Sequence, residues 1–246
     1  MNAFLSQIII QLRMDIRDKG TLLVFYIVPL GFYAVMGAVF SSVNPEIKPI
    51  LSATMAIFSV TMGAVIGIPP SLVKLREAGT LRAYQVLGIP NASVLLSIGI
   101  STLIHLSVVC FIISISAPLL FDAELPQSTG GFIAVLAALL FCSTAIGLFI
   151  GSTAKTQSSA MLLSQAVFMP SLMLSGIMFP AHLLPQPLEY AGNVFPATHV
   201  MRAFYGLAYR LPTEYNSSLS LLIVFAIGIV ASAAAAWRLG TITRVA

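Results

Sequence analysis

Charged residues are scarce in this chain. Only 8% of its 246 residues are Asp, Glu, Lys or Arg, whereas ordinary soluble domains carry about 25%. Hydrophobic residues make up 58%, and long apolar runs recur along the sequence. Each run is close to the roughly 20 residues with which a helix crosses a bilayer, and alternating strand-like segments are missing. The composition predicts an all-α polytopic membrane protein.

Motifs for catalysis are also missing. The sequence contains no Gly-x-x-x-x-Gly-Lys-Ser/Thr, so this chain has no P-loop for ATP phosphates. Cys110 and Cys142 fall in apolar runs and are interpreted as small apolar side chains. His182 and His199 have no cysteine or paired acid at ligand spacing. We therefore expect no catalytic residue, bound cofactor or metal in this chain.

Six apolar runs predict six spans. They are Thr21 to Phe40, Ile50 to Pro70, Ala92 to Leu120, Gly131 to Thr153, Ser159 to Phe179, and Leu219 to Trp237. The prolines Pro69 and Pro70 are expected to end the second span, because proline breaks the helical hydrogen-bond ladder.

Basic residues are distributed unequally between the two sides. One side holds Arg13, Arg17, Lys19, Lys74, Arg76, Arg82, Lys155, Arg238 and Arg244, and the other holds Lys48, Arg202 and Arg210. The positive-inside rule then places both termini in the cytoplasm. The net charge of +4 therefore indicates topology rather than nucleic-acid binding. The N-terminus does not have the pattern of a cleavable signal, and we expect it to be retained.

Two segments outside the spans have their own character. Residues 1–19 repeat apolar side chains at near-helical spacing, at Phe4, Ile8, Leu12 and Ile16. This predicts an interfacial elbow helix with Gln11 and Asp15 turned away from its apolar face. Residues 180–218 are too apolar for a free loop and too rich in proline to span. They predict short interfacial or re-entrant helices over the outer mouth.

A charged segment, residues 72–88, joins the second and third spans. On a helical wheel, the side chains of this segment fall on two opposite faces. The first is Leu72, Leu75, Gly79, Ala83, Val86 and Leu87, and the second is Lys74, Glu77, Leu81, Tyr84 and Gln85. Leu81 and Tyr84, ringed by charges, predict a docking patch for another protein. A solvated helix with snorkelling basic side chains is the alternative.

The same segment carries a family resemblance. Arg76-Glu77-x-Gly79-Thr80-Leu81-Arg82, ending in Gly88-Ile89-Pro90, resembles the coupling segment of ABC-2 type permeases, the membrane subunits of ATP-binding-cassette exporters. A second match follows in Leu174-Ser175-Gly176-Ile177-Met178-Phe179-Pro180, then Leu184-Pro185, Asn193-x-Phe195-Pro196-x-Thr198-His199 and Arg202. Together with the six-span plan, the resemblance covers nearly the whole chain. It departs at Arg82, where the family often has an acidic residue.

The resemblance implies a single ABC-2 type transmembrane domain over residues 1–246. It implies half of a type V exporter, in which two permease subunits, identical or different, join two separate P-loop ATPase subunits that bind ATP and Mg. The coupling residues would be Arg76, Glu77, Gly79, Thr80, Leu81, Arg82 and Tyr84. The cargo would be an amphiphilic or apolar compound, such as a drug, antibiotic, peptide or lipid, exported across the cell membrane in efflux or resistance.

A cargo path is predicted in the spans. His105 is the main ionisable residue there, and such residues are candidates for function; a neutral imidazole bonded to a neighbouring helix is the alternative, because no carboxylate accompanies it. The fifth span offers flexible and polar side chains for varied cargo. The predicted path residues are His105, Gln165, Phe168, Met169 and Met173, and the predicted external gate is Phe179, Pro180 and Phe195.

Three other functions stay open. A glycan-lipid exporter permease of the same family would be expected to have a more aromatic or polar external mouth. A secondary transporter or channel that needs no ATPase predicts acidic residues at mid-membrane, and the predicted spans contain no Asp or Glu. A sensor or immunity protein would bind its ligand in the membrane without nucleotide.

Overall fold

The computed structural model describes residues 3–43, 45–178, 184–213 and 215–242. The amino-terminal half contains α1 (Ala3–Arg17), α2 (residues 19–43), α3 (residues 51–77), α4 (Thr80–Val86) and α5 (Asn91–Phe121). The carboxyl-terminal half contains α6 (Thr129–Thr153), α7 (Gln157–Leu174), α8 (Gln186–Gly192), α9 (Pro196–Ala203) and α10 (Ser217–Ile242). Within these described ranges, π-helical turns occur at Leu23–Ile27 in α2, at Met62–Gly67 in α3 and at Phe204–Ala208 after α9.

Five helical stretches of the described chain are long and apolar enough to cross a membrane. They are Lys19–Phe40, Lys48–Glu77, Asn91–Phe121, Thr129–Thr153 and Ser217–Gly240, which correspond to the first, second, third, fourth and sixth predicted spans. The fifth prediction falls on α7, whose 18 residues include two glutamines and four serines. Because α7 is not among the five stretches, the count of six spans stays a prediction.

Helix α3 forms the centre of the fold. In its apolar window 83% of the residues are buried, against 22% in the first and last spans. It packs against α2, α5, α6, α7 and α9. The ring of Phe58 stacks on Phe32 of α2 with centroids 3.8 Å apart and lies 5.9 Å from Phe168 of α7. Buried serine and threonine side chains interrupt its apolar surface without adding charge.

The expectation that Pro69 and Pro70 end the second span is wrong. Helix α3 continues through both prolines to Glu77. The two prolines directly follow the π-helical turn at Met62–Gly67, where the regular hydrogen-bond ladder is already interrupted. Proline is tolerated at the first positions of a helical segment, because its missing N–H has no partner to lose there.

Glycines allow α6 to approach α3 closely. A methyl group at Gly147 would overlap the carbonyl oxygen of Ala64, and one at Gly151 would press on Pro69 and Leu72. Elsewhere on α3, Leu106 of α5 presses on Gly63, and the ring of Phe25 presses on Gly67. The two Gly-x-x-x-Gly spacings therefore serve helix packing, as small residues do in membrane helix pairs.

Two short helices occupy the described part of the predicted external segment. Thr198 in α9 donates a hydrogen bond to the carbonyl of Gly192 over 2.7 Å, and His199 Nε2 donates to the carbonyl of Asn193 over 2.9 Å. The Arg202 guanidinium lies 3.5 Å from the centre of the Tyr215 ring. These contacts attach α8 and the start of α10 to α9.

The close approach of α6 to α3 yields a stability prediction. Gly147→Ala should lower the free energy of unfolding by about 1–3 kcal/mol through overpacking, offset in part by the intrinsic helix gain of about 1 kcal/mol. Gly130→Ala on the same helix is the matched control, because nothing lies within 4 Å of its added methyl group. Thermal unfolding of the purified protein in detergent measures both. An unfolding temperature as high for Gly147→Ala as for Gly130→Ala would contradict the packing.

Candidate functional site

The α3–α4 segment, residues 74–88, is built from two helices. Helix α3 ends at Glu77, Gly79 adopts a left-handed conformation with φ of 72°, and α4 begins at Thr80. Gly88, with φ of 76°, ends the segment. There the N–H of Ile89 bonds to the carbonyl of Tyr84 over 2.9 Å, which is the Schellman arrangement for a helix end. The single helix predicted over residues 72–88 is therefore corrected to a helix, a turn and a second helix.

The turn at Gly79 changes which apolar side chains of α4 are buried. Leu81 is only 7% exposed and belongs to the main core, and Tyr84 packs partly buried against that core. Val86 and Leu87, which the wheel placed inward, are 88% and 73% exposed. The prediction of an exposed patch at Leu81 and Tyr84 is wrong, because a helical wheel continued through Gly79 loses its phase at the turn.

The α3–α4 segment is attached to the turn between α6 and α7. The Arg76 guanidinium donates a hydrogen bond to the Ala154 carbonyl, and Gln157 Nε2 donates to Glu77 Oε2 over 2.8 Å. A capping box between Thr156 and Ser159 starts α7 at the same place. We call these two contacts the clamp; they tie the end of α3 to both α6 and α7.

The other coupling residues lie at the surface of this segment. Thr80 is half-buried at the first position of α4, and Arg82 and Ala83 are exposed. Glu77 is exposed although it accepts the clamp hydrogen bond. The structure thus brings the predicted coupling residues into one compact segment. It divides them into side chains that shape or hold the segment and side chains that face outward.

The predicted cargo-path residues fall into separate groups. Gln165, Met169 and Met173 follow one another at four-residue intervals on an exposed face of α7, as residues on one side of a helix do. Phe168 is buried on the adjoining face of α7, against Phe58 of α3. His105 lies apart from them, against Phe25 and Tyr26 of α2. Of the predicted gate, Phe195 is half-buried before α9, and Phe179 and Pro180 lie outside the described residues.

A cavity of about 440 Å³ opens between the start of α2, the end of α3 and the start of α7. Asp18 and Lys74 give its wall one charge of each sign, and Gln157 and Gln165 add amides. Thr21 donates to the Asp18 carboxylate from both its backbone and its hydroxyl group, and these bonds hold the pKa of Asp18 below its usual value. Val24, Ile66 and Met161 make the remaining wall apolar. The cavity is therefore amphipathic and reaches Gln165 of the predicted path.

His105 belongs to a polar cluster that sequence reasoning missed. Its Nδ1 lies 2.7 Å from the Tyr26 hydroxyl, and its Nε2 lies 3.9 Å from Asp15 Oδ2. Ser101 donates a hydrogen bond to the same Asp15 oxygen, and Gln11 Nε2 donates to the other over 2.9 Å. The interpretation that no carboxylate accompanies His105 is wrong, because Asp15 reaches it from α1.

Helix α1 turns a mixed polar and apolar side toward the protein. Gln11 and Asp15 are half-buried on the same face as Phe4, Ile8 and Leu12, as the intervals of three and four residues require. The prediction that Gln11 and Asp15 turn away from this apolar face is wrong.

Asp15 accepts hydrogen bonds from Ser101 of α5 and from Gln11 of its own helix, while Leu5, Ile10 and Ile16 are exposed. Burial raises the pKa of Asp15 against the opposing effect of its hydrogen bonds. The signal in the sequence was a matching interval, since Gln11 and Asp15 are four residues apart and so are Ser101 and His105. Two such pairs can meet across neighbouring helices.

The Asp15 cluster predicts how firmly α1 is attached. Asp15→Ala removes the acceptor of Ser101 and Gln11, which costs about 1–3 kcal/mol and should raise the detached population of α1 roughly 5- to 150-fold. Limited trypsin digestion after Arg13 and Arg17 measures this detachment. Asp122→Ala is the control, because Asp122 is an exposed aspartate that caps the C-terminus of α5, about 30 Å along the helix from Ser101. Equal cleavage rates in the two variants would contradict the attachment.

Metal-binding clusters are absent from the described residues, in which no three His, Cys, Asp or Glu side chains come together. His199 instead bonds to the Asn193 carbonyl. His182, the other external histidine, lies outside the described ranges.

Comparisons with known proteins agree with this architecture. The family model described as ABC-2 type transporter matches residues 4–209. The chain is 28% identical over 173 residues to the proteins named inner membrane transport permease YhhJ of Escherichia coli (strain K12) and Shigella flexneri, covering 68% of this chain and 46% of each relative. It is 26% identical over 133 residues to ABC transporter G family member 20 of Dictyostelium discoideum, covering 54% of this chain and 18% of that protein.

The chain thus spans less than half the length of these curated relatives. The family match, however, covers most of the described chain and includes the α3–α4 segment, the clamp, α7 and the helices before α10. On this ground the chain belongs to the ABC-2 type transporter family, whose members are membrane components of ABC transporters.

Proposed function

We propose that this chain is the permease subunit of an ATP-driven exporter in the cell membrane, with both termini in the cytoplasm. One observation carries the proposal. The most buried of the five long helices, α3, continues past its π-helical turn into the exposed α3–α4 segment, which is clamped to the α6–α7 turn. A force on that segment acts directly on the centre of the fold. The chain has no P-loop, so ATP and Mg would bind to a separate ATPase subunit.

The docking face for that ATPase is the outward side of the segment. Arg82, Ala83 and Val86 are exposed on α4, and Glu77 is exposed just before the turn. Val86 lies one helical turn after Arg82, so the face combines an apolar side chain with an arginine, a residue type enriched in interface hot spots. Leu81 and Tyr84 support this face from within by packing into the core, and Gly79 and Thr80 shape the turn. Arg76 contributes through the clamp.

The working assembly contains two permease subunits and two ATPase subunits. Exposed apolar side chains cover one side of α7, including Met161, Leu162 and Met173. In a dimer, this side of α7 would face the central path together with the amphipathic cavity beside Gln165. The mixed wall of that cavity suits an amphiphilic cargo, such as a drug, antibiotic, peptide or lipid, which the exporter would move outward by ATP-driven rearrangement of the helices.

Partner binding gives the first test. The tagged chain is purified from its native membrane in mild detergent, and co-purifying proteins are identified by mass spectrometry. Val86→Asp places a carboxylate in the docking face, and the recovered P-loop ATPase should fall by at least about tenfold, as for a loss at an interface hot spot. Val194→Asp is the matched control, because Val194 is 75% exposed in the predicted external segment.

The wild-type chain and Val194→Asp should recover the ATPase equally. An ATPase recovered equally with Val86→Asp would place the docking face elsewhere. A wild-type chain that brings no ATPase from its native membrane would contradict the exporter proposal and favour a secondary transporter or an immunity protein.

Water access gives the second test, of the path along α7. Gln165→Cys should react with a charged thiosulfonate reagent in membranes, since thiolates form only where water reaches them. Leu222→Cys on α10, 65% exposed but on an apolar helix, should stay unreactive because it faces lipid. The native Cys110 and Cys142 are buried and give no background. Equal labelling of the two variants would show that α7 does not line an aqueous path.

A further inference from the structure

A second groove lies on the other side of the fold, between α5, α6 and α10. It has a volume of about 300 Å³ and an almost wholly apolar wall that includes Leu96, Gly99, Leu103, Phe141, Leu148 and Ala236. It is separate from the amphipathic cavity beside α7, and neither the cargo path nor the docking face uses it. A groove on this surface of a membrane helix bundle opens toward hydrocarbon.

The groove has a polar mouth. A second cavity of about 460 Å³ shares Ala92, Leu95 and Ala236 with it and continues past the end of α4. Gln85 and Asn91 line this mouth, with the Gln85 amide bonded to the Asn91 side chain over 3.1 Å. One continuous depression therefore runs from a polar surface into an apolar slot, and each part has a volume typical of a ligand site.

The depth of the slot corresponds to one leaflet. Its wall on α5 runs from Ala92 to Leu103, which is about 16 Å at a helical rise of 1.5 Å per residue. The hydrocarbon core of a bilayer is about 30 Å thick, so the length of the slot equals about half of that thickness. An occupant of this length is a single acyl chain.

Two basic residues adjoin the lining of the mouth in the sequence without belonging to it. Arg82 lies one helical turn before Gln85, Arg238 directly precedes Leu239 of the mouth, and no acidic residue lines either cavity. A lipid phosphate at this interface would meet favourable charge, worth about 1 kcal/mol for each basic residue near the surface.

We propose that this groove binds an anionic glycerophospholipid of the leaflet on the α4 side. Its acyl chain occupies the slot between α5, α6 and α10, and its phosphate lies at the mouth beside the end of α4. Because Gln85 and Gly88 belong to the α3–α4 segment, the lipid headgroup contacts the same segment that carries the docking face. The membrane composition thereby contributes to the position of that segment. The groove is argued independently of the cargo and of the ATPase partner.

The test uses the full chain reconstituted in vesicles with equal amounts of phosphatidylglycerol and phosphatidylcholine. Native mass spectrometry then measures the phospholipid that stays bound on extraction into mild detergent. The wild type should retain phosphatidylglycerol in preference to phosphatidylcholine. Ala236→Phe fills the slot where it joins the mouth, and retention should fall about tenfold. Ala226→Phe is the matched control, since Ala226 is an exposed alanine of the same helix in the other leaflet.

A second readout needs no extraction from the membrane. Trp237 is the only tryptophan of the chain and directly follows Ala236, so lipids with brominated acyl chains quench its fluorescence when they lie nearby. In the wild type and in Ala226→Phe, brominated phosphatidylglycerol should quench more than an equal amount of brominated phosphatidylcholine. In Ala236→Phe the two should quench equally. Replacing Arg82 and Arg238 by glutamine should remove the preference for phosphatidylglycerol over phosphatidylcholine, while a phospholipid is still retained.

Three results would overturn the proposal. Equal retention of both lipids by the wild type and by Ala236→Phe would show ordinary boundary lipid. A wild type without bound phospholipid, whose self-association is lost in Ala236→Phe, would show that a second copy of the chain covers the groove. Equal quenching by the two lipids in the wild type would contradict the anionic headgroup.

Discussion

The burial of α3 is the constraint on which the rest of the structure depends. Water cannot satisfy the hydrogen bonds of a helix that is surrounded by other helices in a membrane. Neighbouring helices must therefore accommodate its polar side chains and any interruption of its backbone hydrogen bonds. The π-helical turn of α3 lies where glycines bring α6 and Phe25 close, and the paired prolines follow at once. The same constraint applies at α1, where hydrogen bonds from Ser101 and Gln11 and the nearby His105 compensate the partial burial of Asp15.

Packing around α3 makes the α3–α4 segment part of the body rather than a loop. Leu81 anchors α4 in the core, and the clamp through Arg76 and Glu77 attaches the end of α3 to α6 and α7. A push on the docking face is therefore shared by three helices. The cavity beside Gln165 lies at the base of the same helices, which links the proposed site of force to the proposed site of cargo.

The sequence predicts the helical class and five of the proposed spans well, because a long apolar run in a bilayer satisfies its backbone hydrogen bonds as a helix. It also locates the segment that joins α3 to α4. It mistakes the face of α4, because one left-handed glycine, Gly79, changes the phase of the following helix. It also misses the Asp15–His105 contact, since 90 residues separate the partners and an amphipathic pattern does not say which face meets lipid. Hydropathy likewise does not decide whether α7 spans the membrane, because its polar side chains lower the mean hydropathy of an otherwise apolar helix.

The most direct measurement is the distance across the clamp in the assembled transporter. Spin labels at Leu87→Cys at the end of α4 and Ser158→Cys at the start of α7 occupy exposed positions outside the residues named for the docking face, and the buried native cysteines do not compete. If α3, α4 and the α6–α7 turn move as one body, pulsed electron resonance should give one unchanged distance without nucleotide, with ATP and after hydrolysis. A distance that changes with nucleotide would show that α4 moves independently, and the clamp would not transmit force to α3.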